Sequence, residues 1–286
     1  MNKNLIEVFK IENLFLRSKY ILKGYFSGIH KTPYKGFSSE FSEYREYIQG
    51  DDFKRIDWKV FLRSEKLFVR ENEGESDTDI QVFLDSSKSM QFSNKFEYGK
   101  TLLFIFALIS KKQNDSFGYS LYNNRIRVFH KPSKKQNLIF QIHRELEQIK
   151  PEGNTEGAKV LQDILSKVKR STFVIFITDF GENLENIMKT ISIYKIFKND
   201  SIVFHLQSKE EFERKNFENT YLKDMETGKT VFLDSSYDRL KILNQRNERI
   251  KKICYENGID YNRIMIEEGF EKPLSKFFLR RKSVFL

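Results

Sequence analysis

Short apolar segments alternate with amphipathic segments from about residue 78 onward, and this alternation constrains the fold more than any other feature of the chain. The runs Ile80–Leu84, Thr172–Thr178 and Ser201–Gln207 are short and rich in β-branched or aromatic residues, as buried strands are. Longer stretches such as Lys135–Lys150 carry apolar residues near helical spacing. Strands that alternate with helices predict an α/β fold with a doubly wound, mostly parallel, Rossmann-like sheet.

The other predicted elements follow the same alternation. A hairpin is expected at Asn123-Asn124, because asparagine tolerates the positive φ of tight turns. Further helices are predicted over Lys95–Ser110, Gly157–Val168, Asn183–Phe197, Tyr237–Asn257 and Pro273–Arg280, and a last strand over Asp260–Met265. The preceding sequence is polar and dense in Gly, Glu, Arg and Tyr. We therefore expect an N-terminal region over residues 1–78 and an α/β domain over residues 79–286.

The composition of the chain indicates the cellular compartment and excludes some classes of protein. Cys254 is the single cysteine, which excludes a disulfide framework and a cysteine-based zinc site. Residues 1–20 carry charges among their apolar positions, unlike a signal peptide. The longest apolar run, Leu102–Ile109, is far shorter than the ~20 residues that cross a bilayer. We expect a cytoplasmic protein without a membrane anchor.

Oxygen-bearing side chains follow two of the predicted strands. Asp85, Ser87 and Ser89 come directly after the first strand, and alternate side chains of an extended loop point the same way. Asp179 ends another central strand, and Thr155 lies just before a helix. Ligands of doubly wound sheets bind outside the carboxyl ends of the strands. We therefore expect these five side chains to meet at one edge of the sheet.

The chemistry of this set favours Mg²⁺ or Mn²⁺ over zinc, because every donor is a hard oxygen and none is His or Cys. Taken alone, the Asp-x-Ser-x-Ser string also fits an ordinary turn with a helix cap. The full set resembles the metal-ion-dependent adhesion site of von Willebrand factor A domains. That resemblance implies that Ser87, Ser89 and Thr155 touch the metal and that Asp85 and Asp179 act largely through water. A coordination position then stays open for a carboxylate of a partner protein.

The N-terminal region carries a second resemblance. The string Gly36–Asp52, followed by Arg55–Lys59, resembles the bacterial family called "domain of unknown function 58", as do Asp224–Gly228 and Leu279–Arg281. The resemblance covers roughly residues 12–281. It implies a von Willebrand factor A-like domain with a family-specific N-terminal extension. It also implies a role as partner or adaptor of a MoxR-type AAA+ ATPase in the assembly or maturation of other proteins.

Charged and aromatic side chains of the N-terminal string are expected to form one network of Arg–carboxylate pairs, which are geometrically specific. Its candidate members are Arg45, Asp51, Asp52, Arg55, Asp57 and Trp58. The network is interpreted either as a docking surface or as a structural clasp that holds the region on the α/β domain.

The sequence gives little support for an enzymatic function. It contains neither a Gly-x-x-x-x-Gly-Lys-[Ser/Thr] phosphate loop nor a Gly-x-Ser-x-Gly nucleophile elbow. Acidic residues of the N-terminal string suggest a two-metal nuclease, but the string matches the family resemblance better. The net charge of +10 permits nucleic-acid binding, although no recognised module is present. We expect a Mg²⁺-dependent interaction module that is not an enzyme, with a basic nucleic-acid-associated protein as the alternative.

Overall fold

The chain forms two compact units, which comprise residues 1–25 with 78–286 and residues 26–77. Our computed structural model describes residues 10–29, 43–47, 66–71, 78–165, 167–168, 172–182, 184–196, 201–213, 220–223, 230–233 and 239–283. The division at residue 78 that the sequence suggested stays a prediction. The described part of the N-terminal region nevertheless falls into both units, because helix α1 begins in the larger one.

The smaller unit contains two strands, β1 (Glu43–Glu46) and β2 (Phe68–Glu71), which pair antiparallel. Arg45 of the predicted network lies in β1, with its backbone opposite Val69. Lys66 lies 3.7 Å from Glu46 beside this ladder. The other predicted network members, Asp51, Asp52, Arg55, Asp57 and Trp58, lie outside the described residues. The network, as a docking surface or a clasp, stays a prediction.

The larger unit is built on a six-stranded sheet with the order β10-β7-β6-β3-β4-β5. Strand β5 is antiparallel to β4, and the other neighbours are parallel. The strands are β3 (Asp79–Asp85), β4 (Ser116–Tyr122), β5 (Ile126–Ser133), β6 (Phe173–Thr178), β7 (Ser201–Gln207) and β10 (Asp260–Met265). This order is that of a doubly wound sheet. The predicted von Willebrand factor A-like fold is confirmed.

Helices cover both faces of the sheet, close to their predicted positions. They are α1 (Leu14–Ile29), α2 (Lys95–Lys112), α3 (Leu138–Gln148), α4 (Gly157–Leu165), α5 (Leu184–Ile196), α6 (Arg239–Glu256) and α7 (Glu271–Ser283). A separate two-stranded ladder joins β8 (Thr220–Lys223) and β9 (Thr230–Leu233). Helix α7 begins two residues before Pro273, its predicted start. Proline is tolerated there because the first-turn N–H groups have no intrahelical acceptor.

Helix α1 was not predicted, although its start follows ordinary capping chemistry. The side chain of Asn13 accepts a hydrogen bond from the backbone N–H of Leu16 at 3.0 Å, as helix-capping asparagines do. Arg17 is buried and lies 3.4 Å from Glu97 of α2. Further along, Tyr25 is hydrogen-bonded to Ser275 of α7 at 3.1 Å. Helix α1 is therefore part of the larger unit over this stretch.

The core lies on both faces of the central strands. On one face, Phe83 and Phe176 stack at 5.1 Å within a cluster to which α4, α5 and α6 contribute Val160, Ile187 and Ile250. On the other face, α2 and α7 meet where Phe106 stacks on Phe277 at 4.6 Å, and Phe204 also stacks on Phe106. Because β3, β6 and β7 are buried on both faces, their sequences are nearly continuous apolar runs. Within the described residues, no helix is long and apolar enough to cross a membrane.

Candidate metal-binding site

Two loops at the carboxyl edge of the sheet are joined by backbone hydrogen bonds. The N–H of Glu152 donates to the carbonyl of Ser86 at 2.9 Å, and the N–H of Lys88 donates to the carbonyl of Gly153 at 2.9 Å. These bonds run between the loop after β3 and the loop before α4. They bring Thr155 next to the end of β3.

Gly153 and Asn123 shape the loop that carries Thr155. Gly153 has φ +69°, a conformation that favours glycine, and an added Cβ would lie 3.1 Å from the amide nitrogen of Asn123. That amide donates to the carbonyl of Glu152 at 2.7 Å, and the side-chain oxygen of Asn123 accepts from the N–H of Arg125 at 3.1 Å. Asn123 therefore both turns the β4–β5 hairpin, as predicted, and holds the neighbouring loop.

The five residues predicted from the sequence form one continuous hydrogen-bonded cluster. Thr155 Oγ1 lies 3.3 Å from Asp85 Oδ2, and Asp85 Oδ1 accepts from the N–H of Ser87 at 2.9 Å. Ser87 Oγ lies 3.0 Å from Ser89 Oγ, which donates to Asp179 Oδ1 at 2.9 Å. The structure brings all five together, and their assignment as metal ligands stays a prediction.

Asp85 is fully buried and is bound by neutral donors. Besides the N–H of Ser87, Thr178 Oγ1 donates to its Oδ2 at 2.9 Å. Burial, and secondly the nearby charge of Asp179, raise the pKa of Asp85 to about 7. Its carboxyl group is therefore poorly compensated in this environment and would gain from a bound cation.

Asp179 is buried to a similar degree but has a cation beside it. Lys95 Nζ lies 2.5 Å from Asp179 Oδ2. The other oxygen accepts from Ser89 and from the N–H of Gly181 at 3.1 Å. Burial alone would raise the pKa of Asp179, but the ammonium group of Lys95 outweighs it and holds this pKa below the usual range. Asp179 is therefore held as a carboxylate.

Lys95 is shared between two acidic side chains. Its ammonium group also lies 2.9 Å from Glu211 Oε1, and only 6% of its side chain is exposed. Burial would lower the pKa of Lys95, but the charges of Asp179 and Glu211 hold it above the ordinary value. Lys95 was not predicted from the sequence as part of the site. A signal existed, since a lysine that opens a helix opposes the helix dipole and needs a compensating partner.

Arg246 of α6 holds the loop that follows Asp179. Its guanidinium group donates to the carbonyl of Phe180 and, at 2.7 Å, to the carbonyl of Glu182. Phe180 has φ +51°, which is rare for an aromatic residue. Its N–H donates to Thr178 Oγ1 at 3.0 Å. These bonds keep a strained loop in place, as is common at functional sites.

The donor set fits a small divalent cation. Adjacent ligands of an octahedral Mg²⁺ ion lie about 3.0 Å apart, because each Mg–O bond is about 2.1 Å long. The hydroxyl oxygens of Ser87 and Ser89, both expected as direct ligands, are separated by 3.0 Å. Among the described residues, no group of three or more His, Cys, Asp or Glu side chains is placed to hold a metal. The cluster offers hydroxyl oxygens together with two carboxylates, which is the donor set of the predicted adhesion-type site.

A family model described as "Protein of unknown function DUF58" matches residues 43–252. The chain belongs to the DUF58 family. All five candidate site residues lie within the matched range, as do Lys95, Glu211 and Arg246. No curated protein matches the chain.

Several solved structures resemble this DUF58 chain at low identity. The conserved hypothetical protein BatB from Bacteroides thetaiotaomicron is 18% identical over 70% of this chain and 98% of its own, with a TM-score of 0.46. An aerotolerance-related membrane protein from Bacteroides fragilis is 18% identical over 70% and 97%, with a TM-score of 0.44. The pilus adhesin SpaC from Lactobacillus rhamnosus GG is 13% identical over 87% and 36%, also with a TM-score of 0.44. The fold assignment rests on the sheet topology of the chain itself.

His205 lies behind the site, on β7. It is fully buried, and its Nδ1 lies 2.7 Å from the hydroxyl of Tyr261. Burial, and secondly the charge of Arg246, lower the pKa of His205 to about 3. The imidazole is therefore neutral at physiological pH and packs edge-on against Phe180 at 5.1 Å. Through this contact with Phe180, His205 packs against the loop that follows Asp179.

Proposed function

We propose that this DUF58 chain is a protein-interaction module that depends on Mg²⁺ or Mn²⁺. The observation that carries the proposal is the continuous cluster of hydroxyl and carboxylate oxygens that joins Asp85 to Asp179 at the carboxyl edge of the sheet. Both carboxylates are buried there, and buried carboxylates need cations or strong donors nearby.

Each member of the cluster has a role in this proposal. By the family resemblance, the hydroxyls of Ser87, Ser89 and Thr155 would hold the ion directly. Asp85 and Asp179 would act largely through water. The bound ion would supply positive charge at the rim and an open position for a carboxylate of the partner. Ser89 is half-buried beside the exposed Lys88, which gives a partner access to this rim.

We also propose that the chain catalyses nothing by itself and that its partner is a MoxR-type AAA+ ATPase. The absence of a phosphate loop from the sequence supports the first part, because any ATP hydrolysis then falls to the partner. The second part rests on the family resemblance alone. A cytoplasmic location belongs to the same proposal and fits the single cysteine, Cys254, which is buried.

The test combines metal titration with capture of a MoxR-type AAA+ ATPase. We expect calorimetry on the full chain to show Mg²⁺ binding, and capture to require Mg²⁺ and to fail in a chelator. Asp85→Ala should abolish both, whereas the control Asp163→Ala, at an exposed position of α4, should leave both unchanged. Failure to bind any ion at millimolar Mg²⁺ would contradict the proposal. Binding of random DNA with a steep salt dependence would favour the nucleic-acid alternative.

A further inference from the structure

The ammonium group of Lys95 lies beside the proposed metal site and is already bound to one of its carboxylates. It is 2.5 Å from Asp179 Oδ2, while Asp179 Oδ1 faces Ser89 at 2.9 Å. One oxygen of the Asp179 carboxylate therefore contacts the ammonium group, and the other oxygen faces the proposed metal site. Lys95 opens helix α2, and its backbone is fixed by that helix, so the cation is tethered in place.

A second cation near Asp179 must share its charge with Lys95. Like charges repel most strongly where water is excluded, and the side chains of Lys95 and Asp179 are only 6% and 3% exposed. The ammonium also satisfies part of the negative charge that would otherwise attract the ion. Both effects weaken metal binding relative to a site with the same oxygen ligands and no lysine.

Glu211 acts in the opposite direction. It lies 2.9 Å from Lys95 and competes with Asp179 for the ammonium group. Its position is fixed by the segment after β7, where the N–H of Glu211 donates to the carbonyl of Ser208 at 3.1 Å. When the ammonium group interacts more with Glu211, more of the charge of Asp179 becomes available to an ion.

We propose that Lys95 is a specificity-determining residue of this site, a tethered cation that lowers the affinity for divalent metal ions, and that Glu211 moderates it. The inference rests on the proposed function for the location of the metal. Its consequence is a site that binds a divalent ion weakly by itself and tightly when a partner adds a further carboxylate. Metal and partner would then bind cooperatively, since each supplies charge that the other needs.

The experiment measures Mg²⁺ and Mn²⁺ affinity of the full chain by calorimetry, with no partner present. We expect Lys95→Met, which keeps length and removes charge, to bind Mg²⁺ at least about tenfold more tightly. Lys95→Arg keeps the charge and should stay within about threefold of the native chain, while Glu211→Gln should bind at least about threefold more weakly. The matched control is Lys100→Met. Lys100 is a buried lysine of the same helix that pairs with Glu97 at 2.5 Å, and its loss should leave the affinity unchanged.

Thermal melting with and without Mg²⁺ accompanies the titration. Without metal, Lys95→Met leaves Asp179 without its buried cation, so the variant should melt below the native chain. Millimolar Mg²⁺ should raise its melting temperature more than that of the native chain, because stabilisation grows with affinity. A merely structural role of Lys95 would not produce tighter metal binding.

The outcomes separate the two proposals. Equal or weaker binding by Lys95→Met overturns this inference and leaves the proposed function intact. Binding by Lys95→Met but not by the native chain supports the inference and overturns the Mg²⁺ dependence of the native chain. Binding by neither overturns both. If Lys95→Met fails to fold, Glu211→Gln decides: weaker binding supports the inference, and unchanged or tighter binding overturns it.

Discussion

The two carboxylates of the candidate site have similar burial and opposite electrostatics. Asp85 ends β3 and Asp179 follows the neighbouring parallel strand β6, and both are buried. Neutral donors surround Asp85, and burial raises its pKa to about 7. Lys95 lies against Asp179 and lowers its pKa despite the same burial. The comparison shows that burial alone does not set the charge of a site, because one buried cation reverses its effect.

The difference divides the site into two halves with separate roles. In the Asp179 half, the protein itself compensates the negative charge of the carboxylate through Lys95, and Arg246 holds the loop that follows. In the Asp85 half, the carboxylate accepts hydrogen bonds from neutral groups, the hydroxyl of Thr178 and the backbone N–H of Ser87. This half would gain most from an external ion. The following experiments test this division, in order of expected effect.

The largest effect is expected for Asp179→Asn. The change leaves Lys95 buried with Glu211 as its remaining acidic partner, and breaking a buried ion pair costs about 3–5 kcal/mol. Urea unfolding without metal measures the loss. The control Asp163→Asn, at an exposed position, should change the free energy of unfolding by less than about 0.5 kcal/mol. A loss below about 1 kcal/mol for Asp179→Asn would show that the protein does not depend on this pair.

Acid should weaken the Asp179 half through His205. Its pKa is about 3 in the folded chain and about 6.5 when unfolded, so the unfolded state binds more protons between these values. Stability is therefore fully present above about pH 6.5 and falls as the pH drops toward 3. On acidification from pH 7 to pH 4, the native chain should lose on the order of 2–3 kcal/mol of unfolding free energy through His205. We expect His205→Phe to lack this decrease, measured by urea unfolding.

Tyr261→Phe is the control for this pH dependence. It removes the hydrogen bond to His205 but keeps the buried imidazole, so it should retain the slope of the native chain. A His205→Phe variant with the same slope as the native chain would assign the acid sensitivity to other groups.

Thr178 joins the two halves, and its hydroxyl should matter more than its size. It donates to Asp85 at 2.9 Å and accepts from the N–H of Phe180 at 3.0 Å. Thr178→Val leaves both groups short of a partner and should cost about 1–3 kcal/mol. The control is Thr190→Val, because Thr190 is buried and its hydroxyl has no hydrogen-bond partner within the described residues. Equal losses in thermal or urea unfolding would show that the hydroxyl bridge adds nothing.

The smallest loss of stability is expected for Asp85→Asn. Near pH 7 the ionised form of the buried carboxyl group is poorly compensated, so a neutral isostere removes that penalty and should not lower the free energy of unfolding there. The folded pKa lies above the unfolded value of about 3.9, so the contribution of Asp85 to stability falls as the pH rises from about 4 to 7. The variant should lack this decline. A loss as large as that of Asp179→Asn would remove the distinction between the two halves.

Local patterns in the sequence determined the architecture and the position of the oxygen cluster. Strand β6 and helix α2 follow from hydrophobic runs and periodicity, which act over a few residues. Asp85 and Asp179 were placed correctly because parallel strands of a doubly wound sheet end at the same edge. Helix α1 was missed although Asn13 caps it, because its partners on α2 and α7 are remote in sequence.

The charge of the site was decided by tertiary structure. Lys95 lies 84 positions before Asp179, and no local pattern connects that lysine to Asp179 or to Glu211. The bonds from Arg246 to the loop after Asp179 span a similar distance along the chain. A sequence motif can show which side chains offer oxygen to a metal, because those residues follow strand ends. It cannot show which distant cation folds against them, because that contact depends on how whole helices pack on the sheet.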